Sequence, residues 1–419
     1  MRFANSRERS LNFKIAKGLD VALAGAPRQA IFQGPEIASV ALTRADLRGA
    51  EPDVLVQEGE RVALGQPVCV DRHDRKIAFV APAAGWVRQI EKSRRRSFQK
   101  LEIACEGLDA VSFETVSDVS DTLQQSGLWT TFTARPFGKI PRSDDTAEAI
   151  LVTAIDTDPL AADPCVIIEE VQHDFEMGLE ALASLKCGTV IVCQGPGDSI
   201  KPNLGNKVEI ATFSGPHPAG LPGTHLDCLG FGHRNIWQIG YQDVLAIGYL
   251  MRERRLPRER IVALGGPMAR NPRLVRTLRG ASLGDLTRGE AKDGACTILS
   301  GSALSGRPGV NLGWLDRQVS LLEHAPERTA RHAYAQYEGL SRLIPLTPSE
   351  AFDRLLPQNI LPVPLMRALA SGNWDMALRL GALTLVEEDV ALLGAFCTSG
   401  MDYGELLRCA LDSAEGIAT

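Results

Sequence analysis

Residues 53–87 read DVLVQEGERVALGQPVCVDRHDRKIAFVAPAAGWV, short β-rich runs punctuated by turn residues at Glu58-Gly59, Gly65-Gln66 and Ala84-Gly85. Nothing in that stretch has the 3.6 period of a helix, so the chain opens with a small all-β module, assigned to residues 1–112. Downstream the pattern changes. AILVTAI, the helical stretch FEMGLEALASL, the apolar run CGTVIVC and then EIATFSG alternate strand and helix, which predicts a Rossmann-like α/β layer with a mostly parallel sheet over 113–255. RIVALGGPMARNPRLVRTLRGASLGDL followed by CTILSGSALSG predicts a small β-grasp unit of the SLBB type over 256–330. Within it Arg270, Arg273, Arg276 and Arg279 fall three apart, one charged stripe if Pro272 opens a helix, either solvated or facing an acidic partner. PLMRALASGNWDMALRLGAL and YGELLRCALDSAEGI carry apolar residues at helical spacing and predict a C-terminal helical domain over 331–419.

Composition excludes several functions. The 419 residues are 44% hydrophobic and 23% charged, with no apolar run near the roughly 18 residues of a membrane span and no signal-peptide pattern behind MRFANSRERSLNFKIAKG, so a cytoplasmic chain is expected. A formal charge of −6 gives no field for nucleic acid, although Arg252, Arg254, Arg255, Arg258 and Arg260 cluster locally. Nine cysteines form no C-x-x-C pair, which argues against an iron–sulfur cluster or zinc ribbon. His217, His225, Cys228 and His233 fit no metal-ligand spacing and read as loop residues, so no metal is expected. Gln194-Gly195-Pro196-Gly197-Asp198 stands where a phosphate loop would, but a dinucleotide fingerprint needs Gly at position 200, which is Ile, and Pro196 lacks an N–H. Asp156 and Asp158 before Pro159 read as a turn capping the next helix, not as an acid/base pair. No catalytic residue is expected.

The first module looks like a barrel-sandwich hybrid of the biotinyl and lipoyl type. In such carriers the modified lysine lies seven residues before the Ala-Pro pair, and counting back from Ala81-Pro82 gives Asp74. Lys76 is two positions off, so the module reads as a scaffold.

KGLDVALAGAP (17–27), SGLWTTFTARPFGKIP (126–141), TAIDTDPLAADP (153–164) and FSGPHPAGLPGTH (213–225) together resemble the first, peripheral subunit of the sodium-pumping (Na+-translocating) NADH:quinone reductase. The likeness runs on in family order through NPRLVRTLRGASLGDL, SGSALSG, ILPVPLMRALASGNWDMALRLGAL and DYGELLR. The resemblance implies a peripheral protein on the cytoplasmic face of the inner membrane. It would hold no flavin or cluster of its own, with FAD, [2Fe–2S], FMN and riboflavin on partner subunits that carry electrons from NADH to ubiquinone while sodium is exported. The family is similar to the cluster-bearing electron-transport subunit of a related ferredoxin-linked complex, whose two C-x-x-C-x-x-C-x-x-x-C-P runs are missing here, and to the flavin-binding subunit of complex I. Where the complex I protein has a glycine-rich loop for FMN and NADH, this chain has Trp129, Phe132 and Phe137. With Arg135 and Lys139 they supply an aromatic slot with polar anchors, the ingredients of a ubiquinone site, or else a plug for a vacated cofactor cavity. His217 and His225 are weaker candidates for contact with quinone or a partner. The chain departs from the family at His332–Leu346, a shortened segment, and at Cys397-Thr398-Ser399-Gly400, where relatives read Cys-Pro-Gly-Lys. The alternative is a cofactor-free scaffold of another electron-transfer or carrier-domain assembly.

Overall fold

The computed structural model describes residues 11–114, 118–197, 207–324 and 346–418, so residues 332–345 of the shortened segment lie outside the described residues. Ser39–Thr43, Phe98–Cys105, Gly85–Lys92 and Arg61–Val62 pair in one antiparallel sheet, and Pro52–Val54, Pro67–Asp71 and Ala78–Val80 in another, forming the barrel-sandwich module. The apolar positions of these short strands, among them Leu42, Val68, Phe79, Val87 and Leu101, are buried.

The second layer is a six-stranded sheet in the order Leu11–Lys14, Val208–Ser214, Thr189–Gln194, Ala149–Ala154, Ile236–Gly240, Thr133–Ala134, parallel except for the last strand. Its central strands read as unbroken apolar runs because both faces are covered. Ile150, Val152, Val190 and Val192 face one core with Phe175, Leu179 and Val244, while Leu151, Ile191, Cys193 and Phe213 join Leu226 on the other side. On the first face, helices Gln172–Ser184 and Tyr241–Glu253 cross at backbone contact. A Cβ on Gly178 would meet Val244 O at 2.1 Å, and one on Gly248 would meet Asp174 O at 1.7 Å, so neither position admits a larger residue without parting the helices.

The third layer is the sheet Arg307–Pro308, Cys296–Ser300, Gln318–Glu323, Glu259–Gly265, Arg273–Leu278, Arg28–Gln33. Here the arginine stripe is corrected: Arg273–Leu278 is a strand, not a helix, with Leu274, Val275, Thr277 and Leu278 buried. The run RLVRTL carries β-branched Val275 and Thr277, and pairing on both edges overrides the spacing of its charges. Each arginine is spoken for separately, Arg270 by Asp293, Arg273 by Glu290, Arg276 by Glu170 and Arg279 by Asp243, so no common charged stripe forms. Two strands from the N-terminal region, Leu11–Lys14 and Arg28–Gln33, belong to the second and third sheets, and the barrel itself takes up the chain from Ser39.

The C-terminal region packs helices Pro362–Ala370, Trp374–Arg379, Ala391–Phe396 and Tyr403–Ala418 around Leu365, Met366, Leu369, Leu385, Tyr403, Leu407 and Leu411. Among the described residues no helix is long and apolar enough to cross a membrane.

Candidate functional site

The segment 126–141 is built to be sealed. Gly127 takes a left-handed φ of 75°, which turns the chain into the 3-10 turn Leu128–Thr131, and the hydroxyls of Thr130 and Thr131 donate back to Gly127 O (2.7 Å) and Leu128 O (2.6 Å). That turn drives Trp129 and Phe132 inward against Trp237 of the sheet, with ring centroids 5.2–5.5 Å apart. Trp129 is 2% and Phe132 0% exposed, and Trp129 Nε1 donates to Pro141 O at 2.9 Å. The aromatic faces that a quinone slot would present are therefore closed on one another.

Two arginines fix the segment, Arg48 from outside and Arg135 from within it. Arg48 of the barrel donates to Thr130 O and, at 2.8 Å, to Phe132 O. Arg135, 2% exposed, donates Nε to Gln238 (2.9 Å) and Nη1 to Asp389 (3.2 Å) in the C-terminal region, with Glu388 at 3.8 Å. Half-buried Phe137 lends its carbonyl to Arg408, itself paired with Glu387, and Lys139 pairs with Glu415. Asp389 also lies against the 213–225 motif: a Cβ on Gly223 would meet its Oδ1 at 2.1 Å. Burial and neighbouring Asp389 push the Glu388 carboxyl up to about 7, despite the pull of Arg135.

The other motifs converge at the carboxyl ends of the parallel strands. The strand order reverses between Ala149–Ala154 and Ile236–Gly240, the point where such sheets open a ligand crevice. Here Asp156, just past the first strand, pairs with Arg317 of the third layer at 3.2 Å, and that guanidinium lies 5.5 Å from the Tyr241 ring. Burial raises Asp156 to about 6 against the pull of Arg317. The turn expected at Asp156-Asp158 is present (Asp158 N to Asp156 Oδ1, 3.1 Å), but the cap of the following helix is Asp163, whose carboxylate accepts from Cys165 N. His217 is buried, with Nδ1 3.3 Å from Thr157 Oγ1 and its backbone N–H donating to Asp20, so the 17–27, 153–164 and 213–225 motifs are tied together. His225 lies on the helix Pro222–Cys228, not in a loop; it is fully buried against Phe213, its Nε2 2.9 Å from Ala219 O, and burial pushes it down to about 3, leaving a neutral ring.

The remaining sockets are also taken up. Asp74, at the position of a carrier lysine, accepts from Ser143 N (2.7 Å) and Ser143 Oγ (2.9 Å) of the second layer, while Lys76 is exposed. Gly195-Pro196-Gly197 is a turn with Gly197 at φ 84°, and Asp198 lies outside the described residues. Among the described residues no group of three or more His, Cys, Asp or Glu could hold a metal ion, and the nine cysteines are free thiols. The basic cluster is dispersed, Arg252 pairing with Asp174 at 2.8 Å and Arg260 being buried. At 397–400, Cys397, Ser399 and Tyr403 form a buried hydrogen-bonded trio. Asp389, Glu388, Arg408 and Arg48 were not legible as site residues, since their partners lie far away in sequence and no local pattern marks them.

Comparison with known proteins matches three parts of the chain. Residues 13–106 match the NqrA N-terminal barrel-sandwich hybrid domain, residues 115–256 the NqrA second alpha/beta domain and residues 261–309 the NQRA C-terminal domain. The chain is 39% identical to the NqrA protein of the Na(+)-translocating NADH-quinone reductase of Saccharophagus degradans, over 94% of this chain and 97% of the relative. It is 40% identical to the counterpart from Shewanella frigidimarina, over 96% and 99%. A weaker likeness, 12% identity and a TM-score of 0.40 over 73% of this chain and 62% of the other, is to a chain of an NAD+-reducing [NiFe]-hydrogenase in its H2-reduced state. With near-complete coverage in both directions and all three domain types in order, the chain belongs to the NqrA family of the Na(+)-translocating NADH-quinone reductases.

Proposed function

We propose that the protein works as a peripheral, cofactor-free component of a Na+-translocating NADH:ubiquinone reductase. In this reading it docks on the cytoplasmic face of membrane and flavin-bearing subunits, which hold the FAD, [2Fe–2S], FMN and riboflavin. The observation that carries the reading is the filling of each socket in which related folds hold a group: Asp74 with Ser143 at the carrier tip, Trp129 with Phe132 and Trp237 at the glycine-loop position, and Asp156 with Arg317 at the strand switch.

Within that role the 129–139 segment contributes to ubiquinone binding. Trp129, Phe132 and Arg135 form its fixed backing, and half-buried Phe137 and Lys139 offer an aromatic edge and a donor to a quinone carbonyl. His217 and His225 are enclosed, and contact with quinone or a partner would require the 213–225 loop and helix to open.

Affinity purification of the tagged chain from native membranes in mild detergent tests the complex: flavin-bearing subunits and sodium-stimulated NADH:quinone reductase activity are expected in the eluate. A lone, colourless protein overturns the reading. Photo-crosslinking with a quinone azide tests the segment, and labelling confined to another protein of the complex removes the quinone claim while leaving the docking role intact.

A further inference from the structure

The turn at residues 93–97 joins the barrel strands Gly85–Lys92 and Phe98–Cys105 and carries Arg94, Arg95 and Arg96 in a row, with Lys92 just before it. All four side chains are exposed. Among the described residues none of them has an ion-pair partner, whereas Arg61, Arg72, Arg75 and Arg88 of the same barrel each hold a carboxylate. Exposed Arg44, which follows Thr43 where that strand pairs with Lys100, adds a fifth cation at this end of the sheet. Against them stand Glu91, Glu58, which accepts from Ile90 N, and Glu102, which Arg88 and Lys100 already share. A chain with a formal charge of −6 thus gathers positive charge at one end of one sheet. The turn is also tied shut at its base. Ser93 N donates to Ser97 O and Arg96 N to Ser93 O, both at 2.8 Å, and the Ser93 and Ser97 hydroxyls meet at 2.6 Å. Arg96 takes a left-handed φ of 62°, which glycine would adopt without strain, yet an arginine stands there.

We propose that this hairpin tip docks the protein on an anionic phospholipid surface, with Lys92, Arg94, Arg95 and Arg96 meeting lipid phosphates. Exposed cations within a Debye length of such a surface are drawn to it together, each strengthening binding about fivefold. A protein partner would need an apolar or aromatic centre inside the charged rim, and the aromatic beside this turn, Phe98, is 6% exposed and belongs to the barrel core. The closed turn keeps the charges on one tip, so little backbone ordering is left to oppose binding. The proposal rests on the peripheral role argued above for bringing the chain to a membrane, but the contact itself needs no partner subunit.

The test is co-sedimentation of the full chain, without partner subunits, with phosphatidylcholine vesicles prepared with and without phosphatidylglycerol, at low ionic strength. Binding is expected to the anionic vesicles and not to the neutral ones. Combining Lys92→Gln, Arg94→Gln and Arg95→Gln leaves Arg96 and the hydrogen bonds of the turn in place and should weaken that binding about 100-fold. Arg255→Gln with Arg258→Gln, which removes exposed charge from the other basic cluster, should leave it nearly unchanged. No preference for anionic vesicles, or an equal loss in both variants, would overturn the proposal. So would a hairpin variant that binds vesicles like the parent but no longer retains other subunits when purified from membranes, which would assign the tip to an acidic protein. Co-purification of flavin-bearing subunits by the parent chain is read separately, so loss of the vesicle contact leaves the role in the complex standing.

Discussion

The hairpin tip at 72–77 and the segment 129–139 are held in place by different means. At the tip, Asp74 makes two hydrogen bonds to Ser143, in a half-buried spot flanked by exposed Arg72, His73, Arg75 and Lys76. At 129–139, stacked aromatics and a buried Arg135–Asp389 pair reach into the C-terminal helices. The first is a surface clasp that the fold can lose. The second is a seal on which two regions depend, because desolvated charge and ring volume have no cheap substitute there.

The sharpest way to break that contrast is Asp389→Ala. It strands the Arg135 guanidinium and should cost about 3–5 kcal/mol, read by urea unfolding and by early proteolytic release of the C-terminal region. A loss no greater than that of a surface substitution would mean the seal is not a seal. Trp129→Phe keeps an aromatic but removes one ring's volume and the bond to Pro141, and about 2 kcal/mol should go. Asp74→Ala should cost about 1 kcal/mol in the same assay. If it matched Asp389→Ala, the clasp would be as essential as the seal and the comparison would collapse.

The smallest effect sharpens the seal's chemistry. Glu388 is held up to about 7 in the folded chain, above its ordinary 4.5. Between those values the folded state keeps a proton that the unfolded state has released, so this group's contribution to stability falls as pH rises from 5 to 8. Asp156, held up to about 6, acts with the same sign. Tm measured from pH 5 to 8 should decline in part through Glu388, and Glu388→Gln should flatten the slope. An unchanged slope in that variant would remove Glu388 from the account.

How much was legible follows the range of the interactions involved. The strand AILVTA is visible as an unbroken apolar run and the helix YGELLRCALDSAEGIA by apolar residues three to four apart, both local signals; all six strand residues and Tyr403, Leu407, Ala410 and Leu411 are buried. RLVRTL misled because charge spacing suggested a helix where strand pairing on both sides decided the matter. Trp129 and Phe132 stand out in the sequence as closely spaced aromatics, but whether they line a slot or fill it depends on Trp237, more than a hundred residues away.

By itself the sequence determined the order of the modules, the absence of the cluster motifs, and the family, since each is a matter of residue identity and local period. Only the tertiary structure decided that Leu11–Lys14 and Arg28–Gln33 complete sheets belonging to later regions, that Arg135 meets Asp389, and that Asp156 meets Arg317. Those outcomes rest on pairings between distant residues. Such contacts form wherever buried charge and backbone find partners in three dimensions, and no spacing along the chain records them.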